Sequence, residues 1–246
     1  MEEAFEYYLK NYDKNDPDIN YKYHHSYRVM ENSKFLSDKL KLSEKDKQIA
    51  EIIALYHDIG RFEQDKKFNS YNDLTTFDHA DYGEYILINE GLIKQIPIEE
   101  EYYNIIAKAV KNHNKYSVEK GLSDEELFQA KLIRDADKID ILYAASKKIL
   151  TSKAFDYNNK EFNISEEIKI EFKGKNQIKR KKTPITKSER VLALIAFTFD
   201  INFKESAKYI LDNKILDNFY NLLINKEKYK EYFDLAANHL KEMIKC

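Results

Sequence analysis

Apolar residues recur at intervals of three and four positions through most of the chain, which is the spacing of amphipathic helices. In the first 150 residues this pattern predicts helices over 19–40, 43–60, 78–89, 99–113 and 123–150. Ser43 and Ser123 stand where two of these helices would be capped, and Gly60 and Gly91 stand where two would end. The polar stretch 62–77 predicts a loop whose length is uncommon unless the loop is functional.

The last third of the chain has a weaker pattern. Residues 165–172 alternate partly as in a strand, but Ser165 followed by two glutamates favours a short helix. The T-x-x-E motif at 186–189 is a capping box, and two or three amphipathic helices complete the chain. We therefore predict an all-α protein, with a helical core over 1–150 and a C-terminal helical extension over 151–246 that packs on the core as one structural unit.

Composition narrows the class of protein. Lys and Arg total 41 against 43 Asp and Glu, so no excess charge favours a nucleic acid or a membrane surface, and we expect no stable nucleic-acid partner. No apolar run approaches the roughly 20 residues of a membrane helix, and the acidic start lacks the features of a secretory signal. Cys246 is the only cysteine, which excludes a disulfide framework and a thiolate metal site. We expect a cytoplasmic protein.

Histidines and aspartates on the predicted helices are the candidate functional residues. Those that fall on inward faces or near helix ends are His25, His57, Asp58, His79, His113 and Asp137. A single inward histidine is more often a hydrogen-bonded core residue than a ligand. Burial of four imidazoles and two carboxylates, however, is costly unless they pair with one another or with a cation. Imidazole and carboxylate without sulfur suit Fe, Mn, Zn or a similar divalent ion.

The order and local sequence of these residues resemble the HD-domain superfamily of metal-dependent phosphohydrolases. The segment "HHSYRVM" is similar to the first-helix motif H-x-x-R-V, and "ALYHDIGRF" is similar to the signature L-x-H-D-I-G-K/R. The segments "FDHADYGEYIL", "NHNKY" and "IRDADKIDIL" resemble those that supply the later histidines and the closing aspartate. The resemblance spans about residues 21–145 and implies an HD-domain helical bundle with additional C-terminal helices.

The resemblance also implies a site for two divalent transition-metal ions, with Fe, Mn, Zn, Co or Ni as candidates. The implied ligands of one ion are His25, His57, Asp58 and Asp137, and those of the other are Asp58, His79 and His113. His24 is an alternative to His25, but the H-x-x-R-V spacing favours His25. Asp135 and Asp140 are alternatives to Asp137, which the A-D motif favours.

The activity implied by the resemblance is hydrolysis of a phosphate ester or anhydride by a hydroxide that bridges the two ions, with Asp58 as the catalytic bridging ligand. Arg28 and Arg61 are candidate catalytic and substrate-binding residues, because guanidinium binds phosphate through paired hydrogen bonds. Lys138 is a further candidate for substrate binding. The expected substrate is a small phosphorylated molecule, with nucleotides first. A basic run such as 173–182 usually forms a solvated loop. Its alternative role is to bind a polyphosphate or a second nucleotide.

Two other functions remain open at this point. A few dinuclear HD proteins use two irons and dioxygen to cleave C–C or C–P bonds, so an HD-type diiron oxygenase is the alternative enzyme. The arginine of the HDIGR stretch favours hydrolysis over this alternative. The second of these functions is a non-catalytic binding module, which the complete set of candidate ligands disfavours. No P-loop, dinucleotide fingerprint or CxxC pair supports another nucleotide-binding or zinc-ribbon fold. The oligomeric state is not predicted.

Overall fold

The computed structural model describes residues 1–151, 155–179 and 185–245. Within these ranges the chain forms helices and no strands, which confirms the predicted all-α class. The chain divides into two compact units, Met1–Asp137 and Lys138–Cys246. The predicted boundary after residue 150 and the packing of the extension on the core stay predictions. None of the described helices is long and apolar enough to cross a membrane.

The first unit contains six α-helices and the greater part of a seventh. They are α1 (Glu2–Leu9), α2 (Pro17–Lys39), α3 (Glu44–Tyr56), α4 (Ile59–Phe68), α5 (His79–Ile88), α6 (Tyr103–Asn112) and α7 (Asp124–Ser146). Two short 3-10 helices, Leu92–Gln95 and Glu100–Tyr102, connect α5 to α6. Helix α1 was not among the predicted helices. It is anchored by Phe5, which is fully buried and packs its ring edge-on against Tyr27 and Tyr56.

Side-chain caps set where several helices begin. Ser43 accepts a hydrogen bond from the backbone N of Asp46 at 3.1 Å, as predicted for α3. Ser123 accepts from the backbone N of Glu126 at 3.2 Å, and the Glu126 carboxylate accepts from the backbone N of Ser123 at 2.8 Å. This reciprocal pair confirms the predicted start of α7. The helix ends at Ser146, four residues before the predicted end at 150.

Helix α3 is the centre of the first unit. Every residue from Ile52 to Tyr56 is fully buried, so the last turn is covered on all sides. The neighbouring helices α1, α2 and α6 pack against it. The hydroxyl of Ser33 on α2 donates to the backbone O of Ala50 at 3.1 Å, which fixes the register of α2 against α3. Residues that directly follow Tyr56 therefore enter the interior of the unit rather than its surface.

The prediction that Gly60 ends this helix is wrong. Helix α3 ends at Tyr56, and the chain continues through His57 and Asp58 into α4, which contains Gly60 in its first turn. A Cβ at Gly60 would overlap the backbone O of His79 and lie 3.0 Å from the backbone N of Gly83. Gly60 is thus required because α4 and α5 approach closely, not because it stops a helix.

The predicted loop over 62–77 is correspondingly too long, since α4 extends to Phe68. The sequence looked polar because two positions on the inner face of α4, Gln64 and Asp65, are polar residues that are nevertheless buried. Gln64 Nε2 donates hydrogen bonds to the Asp73 carboxylate at 3.0 Å and to the backbone O of Phe77 at 2.8 Å. These bonds, together with edge-on packing of Phe68 against Phe77, tie the remaining loop to the helix.

In the described part of the second unit, the end of α7 is followed by five further α-helices and two 3-10 helices, Ala196–Asp200 and Lys226–Tyr229. The α-helices are α8 (Glu166–Lys173), α9 (Lys187–Ile195), α10 (Lys204–Asp212), α11 (Ile215–Leu222) and α12 (Lys230–Lys245). Helix α12 packs against each of the other four. The short helix favoured after Ser165 and the capping box of Thr186 with Glu189 are both confirmed. Within the basic run 173–182, Lys175 pairs with Glu242 at 2.8 Å, and residues 180–182 lie outside the described ranges.

Candidate metal centre

Five helical segments of the first unit each bring one or two of the predicted site residues into its interior. The side chains are His25 of α2, His57 and Asp58 between α3 and α4, His79 at the start of α5, His113 at the end of α6, and Asp137 of α7. Five of the six are buried, and the Asp137 side chain is 13% exposed. The structure therefore places all six predicted residues together.

The first group consists of His25, His57 and Asp58. The Nε2 atoms of the two histidines are 3.2 Å apart, and each lies 3.5 Å from Oδ2 of Asp58. Asp137 adjoins this group, with its Oδ1 3.2 Å from His25 Nε2 and 3.7 Å from His57 Nε2. Two imidazole nitrogens and two carboxylate oxygens thus face one small volume.

The second group consists of Asp58, His79 and His113. The Nε2 atoms of the two histidines are 3.0 Å apart. Oδ1 of Asp58 lies 3.1 Å from His79 Nε2 and 3.5 Å from His113 Nε2. The two oxygens of Asp58 therefore face different groups, Oδ2 the first and Oδ1 the second. This is the arrangement expected of a carboxylate that bridges two cations.

Hydrogen bonds on the far side of three rings hold Nδ1 as a donor and direct Nε2 toward the site. Nδ1 of His57 lies 2.7 Å from the backbone O of Ala54, and Nδ1 of His113 lies 2.6 Å from the backbone O of Val110. A carbonyl oxygen only accepts, so each Nδ1 donates and each Nε2 faces inward, where it offers a lone pair to a cation when the ring is neutral. His79 Nδ1 donates in the same way to the Asp73 carboxylate at 2.9 Å. Such lone pairs facing one another are suited to a cation between them.

The spacing of the donor atoms also fits a metal ion. Ligands held at roughly 2.0–2.2 Å from one ion, at about 90–110° to each other, lie about 2.8–3.6 Å apart. All three donor separations in the first group, 3.2, 3.5 and 3.5 Å, fall in this range. So do the three in the second group, 3.0, 3.1 and 3.5 Å. The residues present could therefore hold a divalent ion in each group.

The protonation states of the buried groups agree with this role. Burial by itself opposes ionisation of Asp58, but Lys22 and the surrounding imidazoles hold the pKa of its carboxyl well below the usual value. Burial likewise opposes ionisation of Asp137, and hydrogen bonds with His25 and His57 hold its pKa well below the usual value. Burial lowers the pKa of His113 to about 4, so its ring is neutral near pH 7. Metal ligands must be deprotonated, and these groups are.

Asp73 is a site residue that the sequence did not reveal. Its carboxylate accepts from His79 Nδ1 at 2.9 Å, from Arg61 Nη1 at 2.9 Å and from Gln64 Nε2 at 3.0 Å. It lies in the segment predicted to be a functional loop, so the unusual loop length was the only signal. Asp73 sets the proton position and the ring orientation of His79, as carboxylates do behind metal-binding histidines.

Lys22 is the second residue that was missed. Its ammonium lies 2.6 Å from Asp58 Oδ2, and its side chain is 15% exposed. It precedes His25 by three positions on α2, so the two side chains share one face of the helix. Helical spacing from His25 could have identified this lysine, but that spacing also fits an ordinary surface residue.

Arg134 holds the end of α6 from behind His113. Its Nη1 donates to the backbone O of Asn112 at 2.9 Å and to the backbone O of Lys115 at 2.6 Å. These carbonyls lie where a helix end has no internal partners. The fully buried guanidinium therefore fixes the position at which His113 leaves the helix.

The predicted phosphate-binding residues occupy different settings. Arg61 is buried and its Nη1 donates to Gln64 Oε1, to the backbone O of Tyr71 and to Asp73 at 2.6–2.9 Å. As placed, it holds Asp73. Its Nε is 3.7 Å from Asp58 Oδ1. The Arg28 guanidinium lies 5.7 Å from the centre of the Tyr21 ring. A phosphate-binding role stays a prediction for both.

Lys138, the third candidate, is the first residue of the second unit. Its ammonium lies 2.7 Å from the carboxylate of Asp200, in the same unit.

Of the alternatives to the predicted ligands, His24 is exposed and packs edge-on against Tyr23, whereas its neighbour His25 is buried. Burial thus favours His25 over His24 as the candidate ligand.

The fold and this cluster define an all-α protein with a buried imidazole–carboxylate centre suited to divalent cations. The family model described as HD domain matches residues 23–142, a range that contains all six residues of the cluster. Comparison with curated proteins and with solved structures gave no match. Residues 23–142 are therefore identified as an HD domain, which indicates a superfamily of metal-dependent hydrolases.

Proposed function

We propose that this protein is a metal-dependent phosphohydrolase that cleaves a phosphate ester or anhydride, with a small phosphorylated molecule, first of all a nucleotide, as substrate. The observation that carries the proposal is the placement of Asp58 between two imidazole pairs, with one oxygen toward each. A centre of this design would bind two ions a few ångströms apart. Pairs of ions at such a distance are typical of enzymes that act on phosphates.

The proposed ligands are divided between two ions as follows. The first ion would be held by His25, His57, Asp58 and Asp137, and the second by Asp58, His79 and His113. When bound, such ions would polarise phosphoryl oxygens and lower the pKa of a coordinated water, which is the chemistry that hydrolysis of phosphates needs. Fe, Mn, Zn, Co and Ni all suit a set of imidazoles and carboxylates.

The role of the surrounding chain is to keep the ligands ready for this chemistry. The backbone carbonyls of Ala54 and Val110 and the carboxylate of Asp73 each hold one Nδ1–H, so that three Nε2 atoms are fixed toward the centre. Because the rings are buried, water does not compete for their lone pairs. The histidine ligands are therefore preorganised for ion binding.

Positive charge beside the centre supports a phosphate substrate. Lys22 and Arg61 both lie within 4 Å of the Asp58 carboxylate. Developing charge on a phosphoryl group is stabilised by cations placed in a site from which water is excluded. An oxygenase that cleaves a C–C bond of an uncharged substrate has no need for two such cations, so the pattern favours hydrolysis over that form of the alternative.

The direct experiment is a panel of nucleotides, dinucleotides and sugar phosphates, tested with Mn²⁺, Fe²⁺, Co²⁺ and Ni²⁺ for phosphate release. His25→Ala should abolish turnover, whereas His24→Ala, which removes an exposed imidazole at the next position, should retain it. Oxygen uptake by the iron-loaded protein with no phosphate release from any substrate would overturn the proposal and support the oxygenase. A cytoplasmic location is part of the same proposal and awaits fractionation.

A further inference from the structure

Lys22 is the charged neighbour of the centre for which the proposed ligand set gives no role. Its ammonium lies 2.6 Å from Oδ2 of Asp58, the oxygen that also faces His25 and His57. The ammonium thus occupies one side of the oxygen that an ion in the first group would need. With only 15% of its side chain exposed, Lys22 is held in the wall of the site and not on the surface.

An ion in the first group would change the balance of charge around Lys22. With an ion in each group, two divalent cations would face only the two carboxylates of Asp58 and Asp137, so the ammonium would lie beside net positive charge. A largely buried ammonium without an anionic partner is energetically costly, so Lys22 needs a second anion to pair with. The rings of Tyr21 and Tyr71, 5.9 and 5.6 Å from its Nζ, stabilise a cation but supply no negative charge.

The same helix offers one source of negative charge, and the substrate offers another. One is Asp18, a buried aspartate one turn before Lys22 on α2. The other is the anion that enters the site, which the proposed function identifies as a phosphoryl group. Asp18 already has an interaction of its own, and it lies toward the start of α2, where the helix dipole favours a carboxylate over an ammonium. The phosphoryl group is therefore the better partner.

We infer that Lys22 is a substrate-binding residue that exchanges partners, bound to Asp58 in the metal-free protein and to a phosphoryl oxygen of the substrate once ions occupy the centre. This inference rests on the proposed function. It has a specific consequence: removal of the ammonium should strengthen metal binding and weaken phosphate binding. A purely structural lysine would change both affinities in the same direction or neither.

The first measurement is Mn²⁺ affinity by equilibrium dialysis with elemental analysis. Lys22→Met should tighten Mn²⁺ binding about ten- to a hundredfold, the usual worth of a charge-assisted hydrogen bond in an equilibrium constant. Lys22→Arg keeps the charge and should stay near the wild-type affinity. Lys34→Met removes an exposed lysine of the same helix and should have no effect. Unchanged or weaker Mn²⁺ binding by Lys22→Met would overturn the inference.

The second measurement is affinity of the Mn²⁺-saturated proteins for inorganic phosphate by calorimetry. Lys22→Met should bind phosphate at least tenfold more weakly, Lys22→Arg within a few-fold of wild type, and Lys34→Met equally well. Equal phosphate affinity of Lys22→Met and wild type would show that Lys22 does not bind the phosphate, and would overturn the inference. Circular dichroism checks folding, and Lys22→Gln replaces the Met variant if that one does not fold.

The outcomes separate this inference from the proposed function. If the wild-type protein binds Mn²⁺ and phosphate but hydrolyses no phosphate ester or anhydride, the hydrolase proposal fails while the two affinities still decide the role of Lys22. If the variants behave like wild type in both affinities but wild type hydrolyses a phosphate, only the inference fails. Absence of Mn²⁺ binding by wild type would overturn both.

Discussion

Substitution of Asp73 by asparagine tests whether this buried carboxylate maintains the second group. The change keeps the size of the side chain but removes its charge. Asp73 now accepts from His79 Nδ1 at 2.9 Å and from Arg61 Nη1 at 2.9 Å. An amide oxygen is a weaker acceptor for both, so His79 becomes a less basic ligand and its ring less firmly held.

The expected magnitude follows from the same contacts. Loss of a carboxylate behind a metal-binding histidine typically lowers metal affinity about 10- to 100-fold, which corresponds to about 1.4–2.8 kcal/mol. The effect should fall on the ion bound by Asp58, His79 and His113. Neither of these hydrogen bonds joins Asp73 to a ligand of the first group. The affinity of the first group for its ion should therefore stay within a few-fold of the wild-type value.

The assay is titration of the metal-free protein with Mn²⁺, followed by equilibrium dialysis and elemental analysis to resolve the two binding steps. Asp81→Asn is the matched control, because Asp81 lies on the same helix α5 but is exposed and paired with Lys115. Two ions bound by Asp73→Asn with wild-type affinities would refute the reasoning. Equal weakening of both steps would show that Asp73 supports the fold as a whole.

Three further predictions concern stability, each measured by chemical denaturation of the metal-free protein. The pKa of His113 is about 4 in the folded protein and about 6.5 in the unfolded chain, so the unfolded state binds a proton more readily. The unfolding free energy should therefore fall by about 3 kcal/mol as the pH is lowered from about 6.5 to 4, and His113→Gln should flatten this dependence. Gly60→Ala should destabilise by roughly 1–3 kcal/mol or more through overlap with α5, whereas Gly91→Ala, with open space around it, should cost only about 1 kcal/mol for its positive φ. Arg61→Ala should cost about 3–5 kcal/mol because it leaves Asp73 buried without its cation, and wild-type stability of that variant would show that the pair is not needed.

Periodicity and local motifs were sufficient for much of the first unit. The caps at Ser43 and Ser123 lie where polar residues next to apolar stripes predicted them, because a helix start satisfies its own backbone groups locally. The six candidate ligands were singled out by their inward positions, by the cost of burying such groups without partners, and by a local sequence that resembles the HD-domain superfamily. Both kinds of signal depend on residues close in sequence or on residue type alone.

Features that depend on distant contacts could not be predicted in this way. Gly60 looks like a helix stop in the sequence, and only the backbone of His79 beside it explains why it lies inside α4. Asp73 and Lys22 look like ordinary polar residues, and their roles arise from contacts with His79 and Asp58 across the fold. Arg61 is the last residue of the signature motif, but the position of its guanidinium is set by the ion pair with Asp73, which the motif does not contain.

The most direct test of the central claim is the number of ions bound per chain. Metal-free protein reconstituted with Mn²⁺ or Fe²⁺ and freed of excess ion should hold two ions per chain by elemental analysis. His113→Ala should hold one, because only the second group loses a ligand, and Asp58→Ala should lose most of both, because its two oxygens face different groups. A single ion in the wild-type protein, or two ions retained by Asp58→Ala, would contradict a centre bridged by Asp58.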